Sequence, residues 1–279
     1  MTIETPLAGR TMFISGASRG IGLAIALRAA RDGANIALIA KTADPHPKLE
    51  GTIFTAAEQI EAAGGSALPI VGDIRDEGQV HAAVAATVER FGAIDICVNN
   101  ASAINLAGTE ALELKRFDLM QQINVRGSFA VTQACLPHLR QGTNPHILTL
   151  SPPIGLRPQW LGPHIGYTIA KYGMSMLALG WATEFAEAGI ASNALWPRTI
   201  IATAAVQNLL GGDEAMAHAR RPEIYADSAY AILTRDSRAC TGNTYLCEDV
   251  LAEEGVTDLS PYDCVPGAQP YMDLYVDHI

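Results

Sequence analysis

The chain has 279 residues, 49% of them hydrophobic, enough for one large domain with a sizeable buried core. Its formal net charge of −10 argues against a nucleic-acid partner, whose phosphates would be repelled. Five scattered cysteines (Cys97, Cys135, Cys240, Cys247 and Cys264) form no Cys-x-x-Cys pair, which argues against a metal site, and their odd count argues against a disulfide framework.

No apolar run approaches the ~18 residues that a membrane helix needs. Met1 to Gly9 lacks the basic-then-apolar design of a signal segment. The expectation is a cytoplasmic protein with reduced thiols and no membrane span.

Short apolar runs alternate with longer helical patterns along the chain. Thr11–Ser15, Asn35–Ala40, Ala67–Val71, Ile94–Asn99, His146–Leu150, Ala191–Leu195 and Thr244–Cys247 predict strands. Gly20–Asp32, Thr52–Ala63, Glu77–Phe91, Lys115–Arg140, Tyr167–Ala188 and Ile224–Thr234 predict the helices between them. Such alternation implies right-handed crossovers and a parallel sheet covered on both faces. The fold class expected is α/β: a Rossmann-type, doubly wound, seven-stranded sheet in a single domain spanning 1–279. Lys41–Gly51 and Thr199–Glu223 read as long excursions. The acidic, tyrosine-bearing tail from Asp249 is expected to pack on the domain or in an oligomer contact.

The chemistry starts at the first strand–helix junction. Ser15-Gly16-Ala17-Ser18-Arg19-Gly20-Ile21-Gly22 follows a strand and opens a helix. A tight turn, close backbone approach and a helix N-terminus suit a dinucleotide pyrophosphate. The glycine spacing alone is weak evidence, and its strand–turn–helix context strengthens it. A Rossmann protein places an acid ~20 residues later for the ribose 2′-hydroxyl. Here that place reads Ala40-Lys41-Thr42, with no acid before Asp44. Lys41 and Arg19 put positive charge where a 2′-phosphate would lie, so NADP(H) is expected over NAD(H). The alternative for both is a solvated surface role.

Gly72-Asp73-Ile74 ends the third strand, where an Asp can accept from an adenine amino group or cap the next helix. Asn99-Asn100-Ala101-Ser102 closes the fourth strand at the edge where ligands sit in such sheets. Tyr167 and Lys171 stand four apart on a helix and share a face. An ammonium beside a phenol favours the phenolate, so Tyr167 is expected to move toward neutrality as an acid/base for alcohol–carbonyl chemistry.

Taken in order, Ser15-Gly16-x3-Gly20-x-Gly22, Asp73, Asn99-Asn100-Ala101, Asn124 and Tyr167-x3-Lys171 make the chain resemble a short-chain dehydrogenase/reductase from about Leu7 to Leu246. A narrower resemblance, to the hydroxysteroid dehydrogenase-like branch, rests on several further stretches. These are Lys41–Leu49, Leu150-Ser151-Pro152-Pro153, Tyr167–Met174, Leu195–Thr199 and Glu253-Glu254-Gly255. Some members of that branch carry an added sterol-carrier domain, which this sequence does not show.

The resemblance implies that Tyr167 is the acid/base. It implies that Lys171 binds the nicotinamide ribose and that Asn124 holds a water linking Lys171 to solvent. The cofactor set it implies is Gly16, Ser18, Arg19, Gly20, Ile21, Gly22, Lys41, Asp73, Ile74, Asn99, Ala101, Tyr167, Lys171, Pro197 and Thr199. The family serine is where the match departs. Thirteen residues before Tyr167 stands Ile154, and the strand-end alignment gives Pro152. Ser151 is the nearest hydroxyl, either brought in by a shifted loop or merely a strand-end residue. Ser102 and Arg198 also stand where the family usually has Gly, and Arg198 is expected to tighten contact with the cofactor.

His138, His146 and His164 have no metal-ligand spacing, and no metal is expected. Gly211-Gly212-Asp213-Glu214 reads as a helix stop followed by a cap. The loops Ser151–Pro163 and Leu195–Leu210 are rich in apolar side chains, which points to a hydrophobic alcohol, aldehyde or ketone. A homodimer or homotetramer is expected. The rival readings are a weakly catalytic dinucleotide-binding scaffold or redox sensor, and a dehydratase or epimerase on a similar fold.

Overall fold

The structure is a computed structural model that describes residues 5–45 and 51–276. Pro47, inside the first excursion, and the last three residues of the tail lie outside the described residues.

β1 (Thr11–Ser15), β2 (Asn35–Ala40), β3 (Ser66–Val71), β4 (Ile96–Asn99), β5 (His146–Leu150), β6 (Ala191–Trp196) and β7 (Thr244–Leu246) form one sheet. All its pairings are parallel, in the order β3-β2-β1-β4-β5-β6-β7. The order reverses between β1 and β4, which opens a crevice at the carboxyl ends of those strands. Successive side chains point to opposite faces, so β1 sends Met12 and Ile14 into one core layer and Phe13 into the other. Each large aliphatic or aromatic side chain buried this way contributes about 1.5–3 kcal/mol of transfer free energy.

Helices α1 (Gly20–Ala30), α2 (Ile53–Ala62) and α3 (Glu77–Phe91) cover the first half. Thr52 caps α2 in a reciprocal box with Thr55, and Asp76 caps α3 by accepting from the Gln79 amide. The long helix expected over Lys115–Arg140 is interrupted. It runs as α4 (Leu114–Met120), a wider π-helical segment over Gln121–Gly127, and α5 (Ser128–Leu139). The wide turn contains Asn124, and such bulges recur at functional sites. Gly127 meets Ile74 there: a Cβ on it would lie 2.6 Å from the Ile74 Cδ1.

The rest of the helices are α6 (Pro158–Leu161), α7 (Ile165–Glu184), α8 (Gly212–Ala217), α9 (Glu223–Thr234) and α10 (Cys247–Glu253). The Thr199–Glu223 excursion holds α8 and a short π-helical turn, Val206–Leu210. Gly211, at φ 138°, separates the two as the expected helix stop, but α8 begins at Gly212 with no side-chain cap, and Asp213 lies within it. The tail does more than wrap a surface. Met272 bridges antiparallel to Thr199, and Tyr275 and Val276 are buried. No helix among the described residues is long and apolar enough to cross a membrane.

Candidate active site

The crevice at the β1/β4 switch is a cleft of about 1020 Å³, and its lining brings Gly16, Arg19, Lys41, Asp73, Tyr167 and Lys171 together. The glycine turn is the most tightly built part. Gly16 has φ 74°, and a Cβ there would lie 2.8 Å from the Ala101 Cα. A Cβ on Gly22 would run into the Asn100 side chain. That side chain donates to the carbonyls of Ser15 and Gly16 at 2.8 and 2.9 Å. The Ser15 hydroxyl accepts from the amides of Asn100 and Ala101 at 3.2 and 3.1 Å. The loop after β4 is thereby stitched to the loop after β1.

The N-terminus of α1 has no side-chain cap and no acid in its first turn. Its amides therefore face the cleft with the positive end of the helix dipole, a fit for a pyrophosphate. A Cβ at Gly20 would have the Thr203 Cγ2, 3.7 Å away, as its nearest contact, so the backbone there is open to a ligand.

At the far end Lys41 lies 3.4 Å from the Asp73 carboxylate. Arg75 also grips Asp73 through two nitrogens, Nε at 2.9 Å and Nη2 at 2.5 Å. These bonds, the Arg75 hydrogen bond foremost, hold the Asp73 carboxyl well below the usual carboxylate range. The helix-capping alternative for Asp73 fails, because Asp76 caps α3. Lys41 is not a solitary charge either, since Asp73 balances it. Arg19 donates to the Gly51 carbonyl at 2.7 Å.

Tyr167 and Lys171 lie on one face of α7, both buried and both lining the cleft. Their electrostatics differ from the sequence expectation. Burial pushes the Tyr167 phenol well above its ordinary value, with Tyr275 and Asp273 adding to the push. Only the Ser102 hydroxyl, which lines the same cleft, works the other way. Burial pulls the Lys171 ammonium down to about 7, opposed by the Asp273 carboxylate. Its Nζ donates to the Leu150 carbonyl at 2.9 Å and lies 5.2 Å from the Trp196 ring centroid. The Lys171 nitrogen is thus engaged by a carbonyl and a ring face, and no direct bond to the phenol is among its contacts in the described residues. A shared helix face fixes direction but says nothing of these competing partners.

Asn124 is buried, and its side chain clamps the Ala103 backbone, accepting from the amide at 2.8 Å and donating to the carbonyl at 3.1 Å. Asn99 is also fully buried; it donates to Thr132 at 2.9 Å, away from the cleft lining. Thr199 is drawn off to Glu248, 3.2 Å away, while Pro197 lines the cleft. Gly22 packs under Asn100 and leaves Ser18, Gly20 and Ile21 to face the cleft, with Ile74 and Ala101 opposite.

Two residues lie away from where a catalytic or cofactor role would need them. Ser151 is fully buried with its Oγ unpartnered among the described residues, and no shifted loop carries it to the cleft. The segment after β5 is pinned behind it, where the Ser175 hydroxyl donates to the Pro152 carbonyl at 2.6 Å. Arg198 turns outward to Asp249 at 2.6 Å instead of toward a cofactor.

Sequence reasoning missed the tail. Asp273 and Leu274 line the cleft beside Trp196 and Lys171. The Leu274 carbonyl accepts from the Trp196 indole at 2.9 Å, and the Asp273 amide donates to the Arg198 carbonyl at 3.0 Å. The Asp273 carboxyl lies among buried groups; burial pushes it up to about 7, opposed by the Leu274 amide and by Lys171. Tyr275 packs its ring on Trp160, His164, Tyr167, Tyr172 and Trp196, with centroids 5.2 to 6.3 Å away. The tyrosines and the aspartate were visible in the tail, but nothing local to them says where the tail returns.

The short chain dehydrogenase family model matches residues 10–212, which takes in the glycine turn, Asn124, Tyr167 and Lys171. The chain belongs to the short-chain dehydrogenase family. Hydroxysteroid dehydrogenase-like protein 2 of Danio rerio is 56% identical over 271 residues, which are 97% of this chain and 65% of that relative. The chain thus spans just under two thirds of the length of the curated relative it matches. A short-chain dehydrogenase from Mycobacterium thermoresistibile is 69% identical with a TM-score of 0.92, covering 97% of this chain and 96% of the other. A proposed dehydrogenase from Xanthomonas campestris is 59% identical with a TM-score of 0.94, covering 98% and 99%. Members of that family are NAD(P)-dependent oxidoreductases. Asp273 to Tyr275 lie outside the segment that the family model matches.

Proposed function

We propose that this short-chain dehydrogenase interconverts a hydrophobic alcohol and its aldehyde or ketone with NADP(H), using Tyr167 as the proton donor and acceptor. The observation that carries the reading is Tyr167 and Lys171 together in one cleft with an uncapped, acid-free helix N-terminus. A bound nicotinamide dinucleotide would supply or accept the hydride. The chain's own residues hold the cofactor, move the proton at the Tyr167 oxygen and exclude water. Gly16, Ser18, Gly20 and Ile21 fit the pyrophosphate, and Lys171 the nicotinamide ribose. A ribose hydroxyl offers Lys171 a further partner and Tyr167 a less apolar neighbourhood, which favours a lower phenol pKa. Asn124 acts on this site by fixing Ala103.

Cofactor choice rests on the rim of β2. Lys41 stands there with no acid before Asp44, and Arg19 lines the same cleft. A 2′-phosphate would compete with Asp73 for Lys41, so the preference for NADPH over NADH is modest, about tenfold, or ~1.4 kcal/mol. Titration with both cofactors checks it, and equal or tighter NADH binding contradicts it.

The apolar substrate reading keeps one of its two loops. Trp196, Ile201, Val206 and Leu210 line the cleft, together with Ile104 and Ile123. Trp160 and Leu161 instead pack in the layer around Tyr275, and Leu209 is exposed. A screen of straight-chain and branched alcohols and aldehydes, followed by nicotinamide absorbance, tests the class. Specificity should rise with chain length, by up to ~0.8 kcal/mol per buried methylene. A flat series, or a preference for a polyhydroxylated substrate, contradicts it. A homo-oligomer joined through α5 and α7 fits the exposed Phe129, Ile169 and Met176 on those helices. The scaffold or sensor reading is not favoured, because the proton-handling pair lines the same cleft as the cofactor cradle.

A further inference from the structure

Reduction of a carbonyl, or its reverse, builds negative charge on the substrate oxygen, and a preorganised donor at that oxygen speeds the reaction. Tyr167 is one such donor. A second hydroxyl is conspicuous by its position. Ser102 is exposed, lines the cleft together with Tyr167, and acts to lower the pKa of the Tyr167 phenol. Its backbone is held from both sides. Ala101 is tied to the Ser15 hydroxyl at 3.1 Å, and Ala103 is clamped by Asn124 at 2.8 and 3.1 Å. In the resting chain the Ser102 hydroxyl also leans on the Ala103 carbonyl at a long 3.5 Å, a contact easily given up. Ser151, the other candidate hydroxyl, is sealed behind the strand end.

We propose that Ser102 is a catalytic residue whose hydroxyl donates a hydrogen bond to the substrate oxygen beside Tyr167. The proposal rests on the dehydrogenase reading of the site given above. Ser102 keeps its proton throughout; Tyr167 alone exchanges one with the substrate oxygen. The clamp of Asn124 on Ala103 then has a purpose. It sets the height of the Ser102 hydroxyl over the cleft, so that the donor is in place before charge develops.

The test uses the full chain with NADPH and decanal for turnover, and decanamide as a carbonyl ligand that is not reduced. Decanamide binding is read from tryptophan fluorescence, with and without NADPH. Ser102→Ala should lower kcat about 100-fold, within the range found for loss of one oxyanion donor. It should weaken decanamide about tenfold and leave NADPH binding within about threefold, values that correspond to one hydrogen bond and to none. Ser102→Thr should restore most of the activity, and Ser102→Gly, which suits any backbone, should match Ser102→Ala. Ser151→Ala should stay within about twofold, as expected of a residue that leaves the developing charge untouched.

The pH profile separates a catalytic hydroxyl from a structural one. Tyr167 is faced by Lys171, Asp273 and Tyr275 as well as Ser102. Losing the Ser102 donor raises the phenol pKa, so the acid limb of decanol oxidation should move to higher pH. Turnover and decanamide binding by Ser102→Ala that match wild type overturn the proposal, as does a larger loss in Ser151→Ala than in Ser102→Ala. Tyr167→Phe run in parallel separates the two levels. If it is inactive while Ser102→Ala is normal, only the Ser102 role fails. If it is fully active, or if wild type neither binds decanamide nor reduces decanal, the reading of the site fails and takes Ser102 with it.

Discussion

The two ends of the cleft are built in opposite ways. At the glycine-turn end, Gly16, Gly22, Ser15 and Asn100 interlock through backbone approaches and short hydrogen bonds at the tips of two neighbouring strands. At the other end, Tyr167 and Trp196 line the cleft and are backed by Trp160 and Tyr275, so that a long helix, a strand, a short helix and the tail meet. The first end depends on where a Cβ is forbidden, and the second on where large rings are stacked. Damage to the first should therefore appear in cofactor affinity, and damage to the second in stability and in substrate kinetics.

The largest separation is expected from Gly22→Ala. The added methyl displaces Asn100, which ties the loops after β1 and β4 together. NADPH affinity should fall about 100-fold or more, ~2.7 kcal/mol, as measured by fluorescence titration. Affinity within a few fold of wild type would show that the turn yields, and would remove the contrast.

Tyr275→Ala attacks the other end. Removing a buried aromatic side chain from such a cluster costs about 3–5 kcal/mol. The denaturation midpoint should drop, and kcat/KM should fall with NADPH affinity little changed. A parallel loss of NADPH affinity would mean that the two ends are one unit.

The sequence carried the two ends unequally, for the same reason. The glycine turn, the acid-free end of β2 and the Tyr167/Lys171 pair are each written within eight residues, so spacing and period expose them. The sheet order follows from alternation of strands and helices. The π-helical turn at Asn124 looks like ordinary helix, because its apolar pattern continues from Phe117 to Leu139. Ser151 carries a hydroxyl, yet at a strand end a one-residue step decides which side of the sheet it faces. The return of Asp273 to the cleft and the bond from Trp196 to Leu274 span more than seventy residues and leave no local mark. Ser102 stands out in the sequence as a departure from the family glycine, but its place beside Tyr167 in the cleft exists only in three dimensions.

A third effect lies outside the cleft and sets the background for both ends. His146 is buried in β5 with its Nε2 3.0 Å from the Arg235 carbonyl, and burial pulls it down to about 4. Its folded pKa lies below the unfolded value of 6.5. The unfolded chain therefore binds more protons between those values. Stability contributed by the neutral ring is present above pH 6.5 and is lost as pH falls toward 4. The swing is on the order of 3 kcal/mol. His146→Asn should flatten the dependence of the melting temperature on pH across that window. An unchanged slope would assign the acid limb to other groups.

The smallest change is Tyr275→Phe, which keeps the ring stack and deletes the hydroxyl 3.1 Å from the Thr168 Oγ1. It should cost about 1 kcal/mol, the usual net value of one hydrogen bond. A loss as large as that of Tyr275→Ala would shift the weight of the tail's anchoring from packing to that one bond.

The most direct measurement of the central claim is Tyr167→Phe, with NADPH titration and turnover of the best aldehyde on the same preparation. The account predicts NADPH affinity within about threefold of wild type and turnover lower by at least ~100-fold, the loss expected for an acid/base group. Near-normal turnover with intact NADPH binding would contradict it.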